Sequence, residues 1–207
     1  MPTNYNAIAG NELGRVSALS DGIFAVAMTL LVLEIHAPEA ADIHSESELA
    51  AALMALAPRA ATWAMSLMTL GIFWLGQQTQ LSRLREMNRN LAWLHFLFLA
   101  VITILPFSTR LLASFFDFRL AFLIYYANIL LAGATLYLAW SYAQKAGLTH
   151  EQPPGRESEA IRRRIRRAQA LYAIGALAGL VSVPLGVALI ILIQLNYAVA
   201  PRWTNWS

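Results

Sequence analysis

Long apolar stretches recur from near the start of this sequence to near its end, and they decide what the chain can fold into. A helix that crosses the roughly 30 Å hydrocarbon core of a bilayer needs about 17 to 25 residues. Six stretches meet this need and predict membrane-spanning helices at about 16–35, 49–76, 91–113, 119–144, 167–183 and 184–200. We therefore predict an all-α membrane protein, with one six-helix domain over 1–207 and a cytoplasmic linker at 145–166.

The composition agrees with a membrane protein. Hydrophobic residues make up 58% of the sequence and charged residues 13%, whereas about 25% of a soluble domain is charged. The last two stretches form one unbroken apolar run, in which Ser182-Val183-Pro184 predicts a turn because proline readily begins a helix. The sequence has no cysteine, which excludes disulfides, thiolate metal sites and cysteine nucleophiles.

The distribution of basic residues predicts the orientation in the membrane. Arginines cluster at 83–89, between the second and third predicted helices, and again from Arg162 to Arg167, before the fifth. The positive-inside rule places both clusters in the cytoplasm. With six spans, both chain termini then lie in the cytoplasm too, and the membrane is a plasma membrane or a bacterial inner membrane. A basic run beside a membrane helix favours anionic lipid headgroups as partners, not nucleic acid.

The first predicted helix carries polar residues on two different faces. We projected residues 15–34 at about 100° per residue. One stripe then holds Gly22, Val26, Thr29, Leu30 and Leu33, and roughly the opposite side holds Asp21, Phe24, Met28 and Val32. Asp21 and Thr29 are therefore expected to do different jobs.

A carboxylate in a membrane must be paired or hydrated, so Asp21 needs donors from another helix or subunit. Arg15 lies six residues away, too far around the helix to be its neighbour. The expected donors to Ser20 and Asp21 are Trp74, Gln77, Gln78 and His95. The residues alone leave open whether Asp21 packs the helix or helps to move ions. They also leave Thr29 ambiguous, because a threonine in a membrane helix often bonds its own backbone.

The segment RVSALSDGIFAVAMTLLVLEI, at 15–35, resembles the Arg-x-x-x-Phe-Ser-Asp signature helix of the transmembrane protein 175 family of potassium channels. GIFWLGQQTQL and LAWLHFLFLAVITILPFSTRLL resemble the second and third helices of that family, and the six-span plan matches over essentially the whole chain. Three departures stand out. Leu19 replaces the motif phenylalanine, Gln77-Gln78 replace a histidine pair, and His95 replaces an asparagine.

The resemblance implies a homotetramer in which the first helix of each subunit lines a central pore. It implies that Val26 forms the narrowest ring and that Thr29 forms a polar layer for ion selectivity, with Leu30 and Leu33 continuing the lining. No cofactor is expected, and no metal beyond transient K⁺ in the pore. In such a tetramer, we expect four copies of Glu34 to concentrate cations at the outer mouth.

The predicted function is a passive, potassium-preferring cation channel. A proton leak through the same pore is a variant of this reading. A secondary transporter is the alternative class of protein, although secondary transporters typically contain broken helices near the membrane midplane. An enzyme is not expected, because catalysis needs a convergent set of groups and the four histidines are scattered over loops and one helix end.

Overall fold

The computed structural model describes residues 12–151 and 155–199, and this part of the chain is helical apart from short connections. Its helices are α1 (Leu13–Val32), α2 (Glu46–Ala55), α3 (Ala57–Leu81), α4 (Arg89–Ser114), α5 (Arg119–Lys145), α6 (Arg156–Val181) and α7 (Val183–Val199), with a 3-10 turn at Ala40–Asp42. The predicted placement of the two termini concerns 1–11 and 200–207, which lie outside the described residues.

Three of the described helices, α1, α4 and α5, are long and apolar enough to cross a membrane, and α7 is a shorter apolar helix. The α3 and α6 helices have 25 and 26 residues, which is a sufficient length, but they carry more polar side chains. The chain is therefore an all-α, membrane-spanning protein. The count of six spans stays a prediction.

The segment predicted as one helix over 49–76 consists of two helices that meet at Leu56. Pro58 lies in the first turn of α3, and a proline has no N–H to continue the hydrogen bonding of a preceding helix. The backbone of Leu56 itself stays in the helical region, at φ −77° and ψ −6°. The division is thus a local break between α2 and α3 and not a long loop.

The segment predicted as a linker over 145–166 is helical from Arg156 onwards. Gly147, with φ 70°, ends α5, and the amide of Leu148 donates to the carbonyl of Ala143 at 2.9 Å, as in a Schellman motif. The amide of Arg85 then donates to the carbonyl of Leu148 at 2.8 Å. The α5–α6 connection is therefore docked on the α3–α4 connection.

The α3 helix is central to the bundle, where it contacts α1, α4, α5 and α7. Ser20 of α1 and His95 of α4 both contact Gln77 of α3. At the opposite end, Arg110 of α4 pairs with Glu34, just after α1. The α1 and α4 helices thus run in the same direction and α3 runs opposite to them. We call the two ends of the bundle the Gln77 end and the Arg110 end.

Two glycines allow close packing around the turn between α6 and α7. A Cβ on Gly179 would lie 2.1 Å from Cε1 of Phe122, and a Cβ on Gly186 would lie 2.6 Å from Cα of Gly179. Ser182, between the helices, is extended at φ −150° and ψ 121°. A larger residue at either glycine would force α6 and α7 away from each other or from α5.

Candidate functional site

One face of α1 is buried against the other helices of the subunit. The covered side chains are 0 to 3% exposed, and they are Ser20, Phe24, Ala27 and Leu31. Residues spaced three and four apart share one face of a helix. The ring of Phe24 also packs on Phe98 of α4, with centroids 6.1 Å apart. This face fixes α1 against the rest of the bundle.

The other face of α1 is left open by the subunit. Val26 is 58% exposed, Leu30 44% and Leu33 64%. Thr29 is also exposed, and its hydroxyl donates to the carbonyl of Val26 at 2.9 Å. A Cβ on Gly22 would meet nothing within 4 Å. The stripe expected to line an ion path is therefore a continuous open face of the described subunit.

Asp21 is held by two donors from α3. Nε1 of Trp74 donates to Oδ1 of Asp21 at 2.8 Å, and Nε2 of Gln78 donates to the same oxygen at 2.7 Å. Trp74 and Gln78 are four residues apart and therefore share one face of α3. A carboxylate that accepts two such bonds is fixed in place, and charge-assisted hydrogen bonds are stronger than neutral ones.

A second, fully buried chain of bonds runs beside the first. The Ser20 hydroxyl donates to Oε1 of Gln77, and Nε2 of Gln77 lies 3.4 Å from Nδ1 of His95. These three side chains are 0 to 1% exposed. Because an amide nitrogen only donates, Nδ1 of His95 accepts and the imidazole proton lies on Nε2. This assignment of the tautomer follows from the hydrogen-bond network.

Six of the seven residues predicted for the interhelical network are thus brought together at the Gln77 end. Arg15 is not among them. Its guanidinium lies 3.9 Å from Glu12, and both side chains are largely exposed. The motif arginine therefore makes a surface ion pair with its own helix end, and such pairs contribute little to stability.

Glu34 does not present a free carboxylate. Nε of Arg110 lies 3.5 Å from Oε2 of Glu34, and the Glu34 side chain is only 19% exposed. The arginine offsets the negative charge that the sequence reading assigned to the outer mouth. Within the described residues, no group of three His, Asp or Glu side chains could hold a metal ion.

The sequence reading missed a buried polar cluster around Thr69, in the middle of the bundle. Nε2 of Gln194 donates to Oγ1 of Thr69 at 2.7 Å, and Oγ1 of Thr69 lies 3.1 Å from the hydroxyl of Tyr125. The Ser66 hydroxyl donates to Tyr125 at 3.1 Å and accepts from Thr109 at 2.7 Å. These bonds link α3 to α4, α5 and α7.

One signal in the sequence could have indicated this cluster. Ser66 and Thr69 are three residues apart on one face of a helix, so they can serve a common partner. Polar side chains inside a membrane bundle commonly bond across helices. Their partners lie 43 to 125 positions away along the chain. No local pattern identifies partners at such distances.

Comparison with known proteins places this geometry in a family. The family model described as endosomal/lysosomal potassium channel TMEM175 matches residues 15–106, which run from α1 into α4. A potassium channel of Chamaesiphon minutus is 30% identical over 193 residues, covering 91% of this chain and 94% of that protein. The human endosomal/lysosomal proton channel TMEM175 is 32% identical over 106 residues, covering 49% of this chain and 21% of the human protein.

A solved structure agrees in fold. It is the crystal structure of a lysosomal potassium-selective channel TMEM175 homolog from Chamaesiphon minutus, and it matches with a TM-score of 0.79 at 26% identity. The match covers 92% of this chain and 98% of the solved chain. With relatives that are ion channels and not enzymes, and with the likeness extending over nearly the whole chain, this protein belongs to the TMEM175 family of ion channels.

Proposed function

We propose that this protein is a potassium-preferring cation channel that conducts passively through a central pore. The pore is formed by the open face of α1 from four copies of the chain. Val26, Leu30 and Leu33 form the hydrophobic constriction, and Thr29 forms the layer that selects among cations.

One observation carries this proposal. The α1 helix has an open stripe of Gly22, Val26, Leu30 and Leu33, interrupted only by the hydroxyl of Thr29. The remaining polar side chains of the helix centre are bonded away from this stripe, to α3. A lipid-facing helix also turns its polar side chains towards its own subunit. A pore helix is favoured by the Thr29 hydroxyl within the open face, and by the match of the family model to residues 15–106, which include most of α1.

The chemistry of the stripe suits a gated pore. A ring of valine side chains narrows the path and repels water, so it blocks ions when closed and passes them when it widens. Four threonine hydroxyls replace part of the hydration shell of a cation. A hydroxyl ring offers fewer oxygen ligands than a cage of backbone carbonyls, so we expect a preference for potassium and not a strict exclusion of sodium.

Proton conduction through the same pore is the second candidate. The human relative is named as a proton channel. The family model that matches residues 15–106 includes most of the proposed pore helix α1. The two candidates differ in the reversal potential. A proton path follows the pH gradient, whereas a potassium path follows the potassium gradient.

The membrane arrangement is part of the proposal. We propose six spans, with the Gln77 end and both chain termini in the cytoplasm of a plasma or inner membrane. The arginines of α6 would then lie against the headgroups of the cytoplasmic leaflet.

The test is potassium flux into liposomes that contain the purified full chain, with the voltage set by an ionophore. A channel passes a current that scales with the driving force. A flux that saturates like a carrier, or that requires a second transported ion, would instead support a secondary transporter. The mass of the complex in detergent tests the tetramer separately.

A further inference from the structure

A cleft between α3, α5, α6 and α7 plays no part in the proposed pore. Its wall is mostly apolar, and it includes Ile72, Phe73 and Gly76 of α3, Leu136 of α5, and Ile165 and Ala168 of α6. At the Gln77 end, the wall changes to polar side chains. These are Thr79, Gln80, Arg164 and Tyr197.

The cleft has the length of a segment of lipid tail. Its wall on α3 runs from residue 72 to residue 80, which is about 12 Å along a helix. Beyond Arg164, the wall on α5 and α6 is apolar apart from Gln169 and Tyr172. An alkyl chain that entered at Arg164 would therefore stay in contact with apolar atoms to the level of Phe73.

Arg164 gives the entrance of the cleft a positive charge that can pair with an anionic ligand. Arg166, two residues along α6, is paired with Glu159 at 2.6 Å, and Arg83 is paired with Glu157 at 3.3 Å. Within the described residues, no carboxylate lies within ion-pair distance of Arg164. An exposed arginine beside an apolar cleft complements a group with an anionic head and an apolar tail.

Two residues on the wall of the cleft carry a buried amide oxygen without a partner among the described residues. They are Gln80 and Gln169, each with its Oε1. Buried polar groups in native proteins are normally hydrogen-bonded. The amide of Gln80 is used on its other side, where Nε2 donates to the carbonyl of Leu136 at 3.2 Å. The two free carbonyl oxygens accept bonds, so they suit a ligand that carries hydroxyl donors.

We propose that this cleft binds one anionic phospholipid with a hydroxyl-bearing headgroup. Its phosphate lies on Arg164 and one acyl chain lies between α3 and α6. The site adds a specific lipid to the proposed contact of the α6 arginines with the membrane. It rests on the proposed location of the helices in the membrane, and it does not depend on conduction. Because α3 also holds α1 through Trp74, Gln77 and Gln78, an occupied cleft stabilises the helix that positions the pore lining.

Native mass spectrometry of the full chain in detergent tests the site, with phosphatidylglycerol as the probe and phosphatidylcholine of equal chain length as the reference. Arg164→Gln should weaken phosphatidylglycerol binding about fivefold, since one arginine near an anionic surface contributes about 1 kcal/mol. The matched control is Arg163→Gln, which removes the same charge from a neighbouring position outside the cleft wall. Equal losses in the two variants would overturn the site in favour of a diffuse charge effect.

The apolar part is tested with the unaltered protein. Shortening both acyl chains of phosphatidylglycerol should weaken binding, because each methylene lost from the cleft removes contacts with its apolar wall. Affinity that does not depend on chain length would overturn the cleft. Full competition by glycerol 3-phosphate at the same concentration would show that a free phosphate suffices, and it would overturn the lipid assignment. Every readout is a bound mass, so the result does not depend on whether the channel conducts.

Discussion

Gln77 and His95 are joined across α3 and α4, with Nε2 of the amide 3.4 Å from Nδ1 of the imidazole. Oε1 of the same amide accepts a hydrogen bond from the hydroxyl of Ser20 on α1. One buried side chain thereby holds α1, the proposed pore helix, and the neighbouring α4 in a fixed relation.

Gln77→Leu should destabilise the protein by about 1–3 kcal/mol, because it leaves buried polar groups on α1 and α4 without a partner. Ser20→Ala removes one of those groups. The double variant should therefore be less destabilised than the sum of the two single variants. Thermal unfolding in detergent of all four proteins measures this coupling. Strict additivity would contradict a shared hydrogen bond.

Val26→Asn should raise potassium flux through liposomes, because a polar ring in place of a valine ring wets the constriction. A tenfold rise corresponds to a barrier lowered by ~1.4 kcal/mol. The control is Val32→Asn, since Val32 is 51% exposed but lies off the stripe. If both variants change the flux equally, Val26 is not the constriction.

Thr29→Ala should change the ratio of potassium to sodium permeability with little effect on stability. Among the described residues, the Thr29 hydroxyl bonds only the carbonyl of Val26 on its own helix. Thr103→Ala on α4 is a matched control. Thr103 is also exposed, and its hydroxyl likewise donates to the carbonyl three residues earlier, at 2.7 Å. Reversal potentials under mixed potassium and sodium gradients measure the ratio. An unaltered ratio for Thr29→Ala would refute its role in selectivity.

Asp21→Ala should reduce the yield of the assembled complex, because Trp74 and Gln78 lose their common acceptor. Hydrogen bonds across membrane helices average roughly 0.6 kcal/mol each and reach about 1.7, so a loss of about 1–3 kcal/mol is expected for two. Asp117→Ala, in the exposed turn after α4, serves as the control. Size-exclusion chromatography compares the yields. A fully assembled Asp21→Ala protein with altered conductance would instead indicate a direct role in ion movement.

Arg110→Gln should increase cation flux at low ionic strength, because it frees the carboxylate of Glu34 from its ion pair. The gain should shrink at high salt, since the Debye length falls from about 30 Å at 0.01 M to about 3 Å at 1 M. Arg119→Gln, also exposed at the Arg110 end, is the control for general charge. An increase in flux that does not depend on salt would indicate a change of structure and not an electrostatic effect of Glu34.

The sequence predicted which face of α1 the subunit leaves open, because a helix repeats its faces at a known angle. It also predicted Trp74 and Gln78 among the partners of Asp21, because few donors lie at the same depth. The prediction of one helix over 49–76 missed the break at Leu56, because apolar residues continue through it and only Pro58 marks it. The sequence reading gave Glu34 a free charge, because the pairing with Arg110 joins positions 76 apart in the sequence (110 − 34). The cluster around Thr69 was missed for the same reason.

The central place of α3 has a consequence for how such sequences diverge. Its polar side chains bond to α1, α4, α5 and α7 at once, so a single exchange on α3 leaves an orphaned group on some other helix. Change on this helix should therefore occur as matched exchanges with its neighbours. The glutamine at 77 facing a histidine at 95, where the family usually has histidine and asparagine, has the form of one such exchange. Across many relatives, the identities at these two positions should vary together and not independently.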